Sequence, residues 1–98
     1  MTLPFHDVTW TFRSAVERLQ NDRDLAERQA QSTFVWRCAR LRDGFGEVEW
    51  PGIEEAQQAF AEERNRTVHA AQREYDQKLA ALQAEFLEEW IRVENRPR

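Results

Sequence analysis

The chain contains little glycine, proline or cysteine. Its three glycines all lie within residues 44–52, and its three prolines are Pro4, Pro51 and Pro97. Glycine and proline end helices and favour turns, so helical structure should be interrupted only near the two ends of the chain and at one central point. We therefore expect two long helices, with helix one over about 7–42, a turn over 43–52 and helix two over about 53–95.

Other absences narrow the class of protein. Cys38 is the single cysteine, so no internal disulfide can form. No run of about 18 apolar residues is present, which excludes a membrane-spanning helix. Residues 1–7 lack the basic start and apolar core of a secretory signal. We expect one domain over 1–98 that is cytoplasmic, or secreted without a conventional signal peptide.

An apolar stripe with three-and-four spacing predicts helix one. Asp7 suits the N-cap, and Gly44 suits the left-handed position that follows a helix. The stripe thins at residues 21–24, where the helix could instead break and start again. Its members are Phe12, Ala15, Val16, Leu19, Ala26, Ala30, Phe34, Cys38 and Leu41.

A longer stripe predicts helix two. Pro51 is expected in its first turn, and Glu74–Lys78 and Glu88–Arg92 are spaced to form ion pairs on its outer face. Only the turn containing Glu63 and Arg64 lacks an apolar member. The stripe consists of Ile53, Ala56, Phe60, Thr67, Ala71, Tyr75, Leu79, Leu82, Phe86, Trp90 and Val93.

A hairpin of two such helices buries only one face of each. We therefore expect an all-α, antiparallel two-helix hairpin that dimerises into a four-helix arrangement. Near its end, helix two carries two neighbouring apolar rows, which predict an interface. The predicted interface residues are Leu82, Phe86, Leu87, Trp90 and Ile91.

Two explanations of these rows remain open, and both can hold. The rows can bind a second chain, or they can pack against apolar residues near the start of the same chain, which an antiparallel hairpin brings to this end. Those N-terminal residues are Leu3, Phe5, Val8 and Trp10.

The sequence carries no motif for catalysis or for a cofactor. His6 and His69 have no carboxylate or cysteine at ligand spacing, so no metal site is predicted. Residues 44–46 lack the downstream glycine and lysine of a phosphate-binding loop. We therefore expect a protein that is not an enzyme, with no catalytic residue, metal or cofactor.

A small basic and aromatic cluster raises the question of nucleic acid. Trp36, Arg37, Arg40 and Arg42 could contact phosphates or stack on a base. The net charge of −4 and the pairing expected with glutamates around the turn argue against this partner. Those glutamates are Glu47, Glu49, Glu54 and Glu55.

The predicted turn contains Trp50, Pro51 and Gly52. A Trp-x-Gly at the middle of a helical chain of this length resembles the WXG family of small type VII (ESX) secretion proteins. The resemblance implies a helical hairpin with this motif at the bend, pairing as a homodimer or heterodimer, and export without a signal peptide. The family's export signal, Tyr-x-x-x-Asp/Glu, does not occur here because Leu79 stands four residues after Tyr75. The chain would then travel as the partner without the signal.

These observations predict a non-enzymatic, helical protein–protein interaction module that resembles WXG-type secreted proteins. The partner is a second copy or another helical protein. The alternative is a small phage or mobile-element adaptor, inhibitor or structural protein that acts by binding a protein. In either case we expect Trp50 to cap the hairpin by packing near Leu41 and Phe60.

Overall fold

The structure is a computed structural model that describes the backbone of residues 4–45 and 51–96, and the side chains of residues 7–44 and 51–96. These residues form helix α1 (Pro4–Phe45) and helix α2 (Ile53–Glu94), and no strand occurs among them. The two helices pack against each other as an antiparallel hairpin. The predicted all-α hairpin is confirmed.

Helix α1 is longer at both ends than its sequence pattern predicts. Asp7 is not the N-cap, because the helix begins at Pro4 and the Asp7 carbonyl accepts a hydrogen bond from the Thr11 hydroxyl at 2.9 Å. Proline suits a first helical turn, and the Asp7 carboxylate complements the dipole there. Gly44 lies in the last turn rather than beyond it, which costs about 1 kcal/mol at most.

Residues 21–24 do not interrupt α1. The thin part of the apolar stripe is filled by Arg23, whose guanidinium carbon lies 4.4 Å from the centroid of the Tyr75 ring. The aliphatic part of an arginine side chain covers apolar surface while its charged group contacts the ring face. A polar sequence at this point is therefore compatible with a continuous helix.

The start of α2 is formed by a turn at Pro51 and Gly52. The Gly52 carbonyl accepts the first helical hydrogen bond, from the Ala56 amide at 2.9 Å, so Gly52 occupies the N-cap position. Pro51 therefore precedes the helix instead of opening its first turn. Trp50, the third predicted turn residue, lies outside the described residues, and so does its predicted capping contact.

Burial follows one face of each helix at a regular interval. Half-buried or buried residues recur every 11 residues, close to the roughly 10.8 residues of three α-helical turns. One such series is Val8, Leu19, Ala30 and Leu41 in α1, and Gln57, Val68, Leu79 and Trp90 in α2. Among the residues that the structure describes, Ala30 alone is buried, at 8% exposure.

The contacts divide the chain into two units. The terminal unit combines residues 1–23 with 73–98, and the turn unit is residues 24–72. In the terminal unit, Phe12 stacks on Phe86 with ring centroids 4.5 Å apart, and Arg23 covers Tyr75. In the turn unit, Arg64 covers Phe34 at 4.3 Å. The members of these three pairs are spaced by 11 residues along each helix.

A second arginine joins the two helices within the turn unit. Arg37 forms an ion pair with Glu63, and its guanidinium carbon lies 5.6 Å from the Phe60 ring centroid. Arg64 also donates a hydrogen bond to the Gln31 side-chain oxygen at 3.3 Å. The packing between residues 31–37 of α1 and residues 60–64 of α2 thus combines aromatic rings with charged side chains.

Neither helix, over its described residues, contains a segment long and apolar enough to cross a membrane.

Candidate protein-interaction surface

The first of the two apolar rows predicted on α2 packs inside the chain. Leu82, Phe86 and Trp90 are half-buried. Phe86 stacks on Phe12 and also lies 5.8 Å from Trp90, measured between ring centroids. Packing within the chain therefore accounts for this row, as the second of the two explanations expected.

The N-terminal partners of that packing are only partly those expected from sequence. Val8 is half-buried and lines a groove with Phe12 and Phe86. Trp10 is instead 63% exposed, because it stands two residues after Val8 and so points about 200° away around the helix. The side chains of Leu3 and Phe5 lie outside the described residues.

The second row on α2 lies on the solvent-facing side of the helix. Leu87 is 58% exposed and Ile91 is 47% exposed, and the two alanines before them are exposed as well. Spacing of four, three and four places these residues on one face. We call this set the outer row: Ala80, Ala84, Leu87 and Ile91.

The predicted interface is thus divided by the fold. Leu82, Phe86 and Trp90 contribute to packing between α1 and α2, whereas Leu87 and Ile91 remain available to another molecule. Consecutive residues on a helix are about 100° apart, so Phe86 and Leu87 face different directions although they are neighbours in sequence.

The outer row is uncharged but has acidic surroundings. Residues 79–91 contain Glu85, Glu88 and Glu89 and no basic residue. Arg92 forms an ion pair with Glu89, whereas its predicted partner was Glu88. A surface that covered the outer row would therefore have to be apolar at its centre and would be favoured if its edge were basic.

An open groove of about 330 Å³ lies along the helix contact in the terminal unit. Its walls are apolar, contributed by Val8, Phe12, Leu82 and Phe86 among others, and Asp7, Glu85 and Glu89 also line it. Grooves of this size are at the lower end of the range for small-molecule sites.

Exposed apolar residues also occur on α1, where the predicted interface included none. Leu25, Val35 and Trp36 are each more than half exposed. These three residues lie outside the apolar stripe that predicted the helix. Their size and their position outside the stripe are the features of the sequence that could have identified them as exposed apolar residues. Their exposure shows that α1 too offers apolar surface.

The cluster considered for nucleic acid is partly engaged within the chain. Arg37 pairs with Glu63 of α2, not with a glutamate close to the turn. The Arg40 guanidinium carbon lies 4.9 Å from the Trp36 ring centroid. This cation–π contact restricts the exposed Trp36 side chain, and it leaves an apolar surface with a basic edge on α1.

The total exposed surface is large for the mass. A folded monomer of 11.7 kDa exposes about 5,900 Å², whereas this chain exposes 8117 Å². The difference of about 2,200 Å² exceeds the roughly 800 Å² that each partner buries in an interface of standard size.

The described residues contain no group of three or more histidine, cysteine, aspartate or glutamate side chains that could hold a metal ion. Cys38 is free and half-buried. Comparison of the chain with protein-family models, curated proteins and solved structures gave no match.

Proposed function

We propose that this protein is a non-enzymatic helical interaction module that works by binding protein, and that its first partner is a second copy of itself. The observation that carries the proposal is the imbalance between exposed surface and mass. A hairpin with one contact face leaves the opposite faces of both helices exposed to solvent. Association with another chain would bury these faces.

The exposed apolar side chains give this association a source of free energy. Complete burial of a leucine or isoleucine is worth about 1.5–3 kcal/mol. Leu87 and Ile91 are about half exposed, so each can contribute about 1 kcal/mol when a partner covers it. A symmetric dimer would use each residue twice.

The resemblance to WXG proteins extends the proposal to the role of the module. We infer a secreted pairing protein of the type VII kind, exported together with a second helical protein that carries the signal this chain lacks, and supported by a hairpin whose turn contains Pro51 and Gly52. An epitope-tagged chain, expressed in its native host, should appear in the medium and should disappear from it when the secretion ATPase is deleted. A chain that stays inside the cell in both strains contradicts this role and leaves the dimer untouched.

Light scattering on the purified chain tests association itself. The expected mass is about twice the 11.7 kDa of the chain at roughly 100 μM, a concentration at which a dimer of micromolar dissociation constant is largely formed. A mass of one chain at that concentration contradicts the proposal.

A further inference from the structure

We propose that a basic, amphipathic helix of a different protein docks in the groove that runs along the helix contact of the terminal unit. We call it the terminal groove, and its floor consists of Val8, Phe12, Ala15, Leu82 and Phe86. This inference goes beyond the proposed homodimer, because it assigns a second binding surface and the chemistry of a second partner.

The floor of the terminal groove is apolar and only partly covered. Phe12 and Phe86 stack across the helix contact, yet both side chains remain half-buried. The other three floor residues are half-buried as well. Two helices cover each other from one side only, so the line between them stays open to a third element. Apolar side chains of that element would complete the burial of the floor.

The shape of the terminal groove suits a helix. Its floor extends from Val8 to Ala15 on α1, which is about 10 Å, or about two helical turns. That length accommodates apolar side chains at positions i, i+4 and i+7 of a docked helix. An extended segment fits less well, because the backbone groups of α1 and α2 are bonded within their own helices and offer a strand no partner.

The polar groups at the edges of the groove are hydrogen-bond acceptors. Asp7 lies on the α1 edge, and Glu85 and Glu89 lie on the α2 edge. Thr11 also lines the groove, but its hydroxyl already donates to the Asp7 carbonyl. None of the described residues that line the groove is basic. Carboxylates on both edges favour a helix with lysine or arginine on both sides of its apolar face.

The ion pair between Glu89 and Arg92 does not cancel this charge. Both side chains are at least half exposed, so the pair contributes little to stability and can rearrange. A carboxylate also has two oxygens, so Glu89 can accept a hydrogen bond from a partner while it keeps Arg92. Asp7 and Glu85 leave a negative charge on each edge even when Glu89 is counted as neutralised.

The terminal groove remains open in a dimer formed through the outer row. Glu85 and Leu87 are two residues apart on α2, so they point about 200° apart around the helix. The outer row itself does not suit the groove of a second copy, because its acidic surroundings would meet acidic edges. The two surfaces can therefore bind different partners at the same time.

The basic surface at Trp36 does not supply the docking helix either. A helix-in-groove contact uses large apolar residues at successive turns. The residues three and four positions from Trp36 on either side are small or polar: Ser32, Thr33, Ala39 and Arg40. The occupant that fits best is thus a helix from another protein.

Peptide binding to the full chain tests the charge preference. The probe is a labelled, designed helix with leucine at i, i+4 and i+7 and lysine on both flanks, and the control peptide has glutamate in place of every lysine. By fluorescence anisotropy, the lysine peptide should bind with a dissociation constant on the order of 10 μM, and the glutamate peptide at least about tenfold more weakly. Equal affinity for both, or no binding of the lysine peptide at about 200 μM, would overturn the inference.

Variants of the chain test the location. Glu85→Lys reverses a charge on the edge and should raise the dissociation constant of the lysine peptide at least about tenfold. Glu62→Lys, at an exposed position of the turn unit, changes the net charge equally and should raise it less than about threefold. Equal effects of the two reversals would assign binding to overall charge and overturn the inference.

Thr11→Trp tests the groove without a change of charge. The larger side chain would fill the groove while every floor residue stays in place, and it should weaken binding of the lysine peptide at least about tenfold. Circular dichroism and the Tm verify that the hairpin is intact. Wild-type affinity in this variant would show that the peptide binds elsewhere.

Light scattering separates this inference from the proposed function. Glu85→Lys and Thr11→Trp should both keep the mass of the wild-type dimer. If both become single chains, the groove belongs to the homodimer, and this inference is overturned while the proposed function stands. A wild type of one chain overturns the proposed function alone, and the peptide measurements still decide what the groove binds.

Discussion

The guanidinium carbon of Arg64 lies 4.3 Å from the centroid of the Phe34 ring. Arg64 belongs to α2 and Phe34 to α1, so the contact joins the two helices where the apolar stripe of α2 has its gap. Arg23 on Tyr75 does the same at the gap in α1. In each case an aromatic ring from one helix supplies apolar surface, and an arginine from the other covers it.

The Arg64–Phe34 contact should be measurable as a coupling energy. In a double-mutant cycle of Arg64→Met with Phe34→Leu, we expect about 0.5–1 kcal/mol of coupling in the free energy of unfolding. Arg66→Met, at an exposed position two residues later, is the matched control and should couple to Phe34→Leu by less than about 0.3 kcal/mol. Equal coupling in both cycles would show that the ring contact contributes nothing specific.

Gly44→Ala should stabilise the protein. Gly44 lies in the last turn of α1, and an added Cβ would meet nothing within 4 Å. Replacing a helical glycine by alanine gains about 0.5–1 kcal/mol, which corresponds to a rise of about 2–8 °C in Tm for a chain of this size. The position predicted from sequence, just after the helix in a left-handed conformation, would give the opposite sign. A lower Tm therefore contradicts the observed helix end.

The Glu74–Lys78 ion pair predicts that the stability of the fold depends on pH. The Lys78 ammonium lies 2.8 Å from the Glu74 carboxylate, and this hydrogen bond lowers the pKa of Glu74 from its ordinary 4.5 and raises the pKa of Lys78 from 10.5. Because the pKa of Glu74 is lower in the folded than in the unfolded protein, the ionised carboxylate stabilises the fold at a pH above its unfolded pKa. This stabilisation is lost as the pH falls through the folded pKa. A raised lysine pKa stabilises it below 10.5 and loses that effect as the pH rises through the folded value.

Melting curves of wild type and Glu74→Gln measure this effect. The difference in Tm should be constant across neutral pH, should be lost as the pH falls through the lowered pKa of Glu74, and should shrink in roughly 1 M salt because the pair is exposed. A difference that persists at low pH would assign the effect of the substitution to helix propensity and not to the ion pair.

The sequence was sufficient for the two helices, their antiparallel packing and the position of the turn. These follow from the placement of glycine and proline and from two long stripes at helical spacing. The predicted start and end of α1 each differ from the observed ones by three residues, because Asp7 and Gly44 are compatible with positions inside a helix as well as at its ends. Sequence preference alone does not choose between those positions.

The interface was predictable only in part. Phe86 and Leu87 are equally apolar in sequence, and the distinction between them arises from which residue meets α1. That distinction depends on the rotation of α2 about its axis, which is fixed by contacts such as Phe12–Phe86. The arginine–aromatic contacts were not predicted either, because Arg23 and Arg64 interrupt the hydrophobic periodicity from which the helix faces were inferred.

Sedimentation equilibrium of three proteins tests the central claim, that this hairpin associates through the outer row of α2. The wild type should be a dimer, and Leu87→Asp should raise its dissociation constant at least about thirtyfold, because two aspartates would be buried and two leucines lost. Leu25→Asp is the matched control, since Leu25 is exposed to a similar degree, 52% against 58% for Leu87, and lies on α1, outside the outer row. It should change the dissociation constant by less than about threefold. A monomeric wild type, or a Leu87→Asp variant that dimerises as tightly as wild type, would contradict the account.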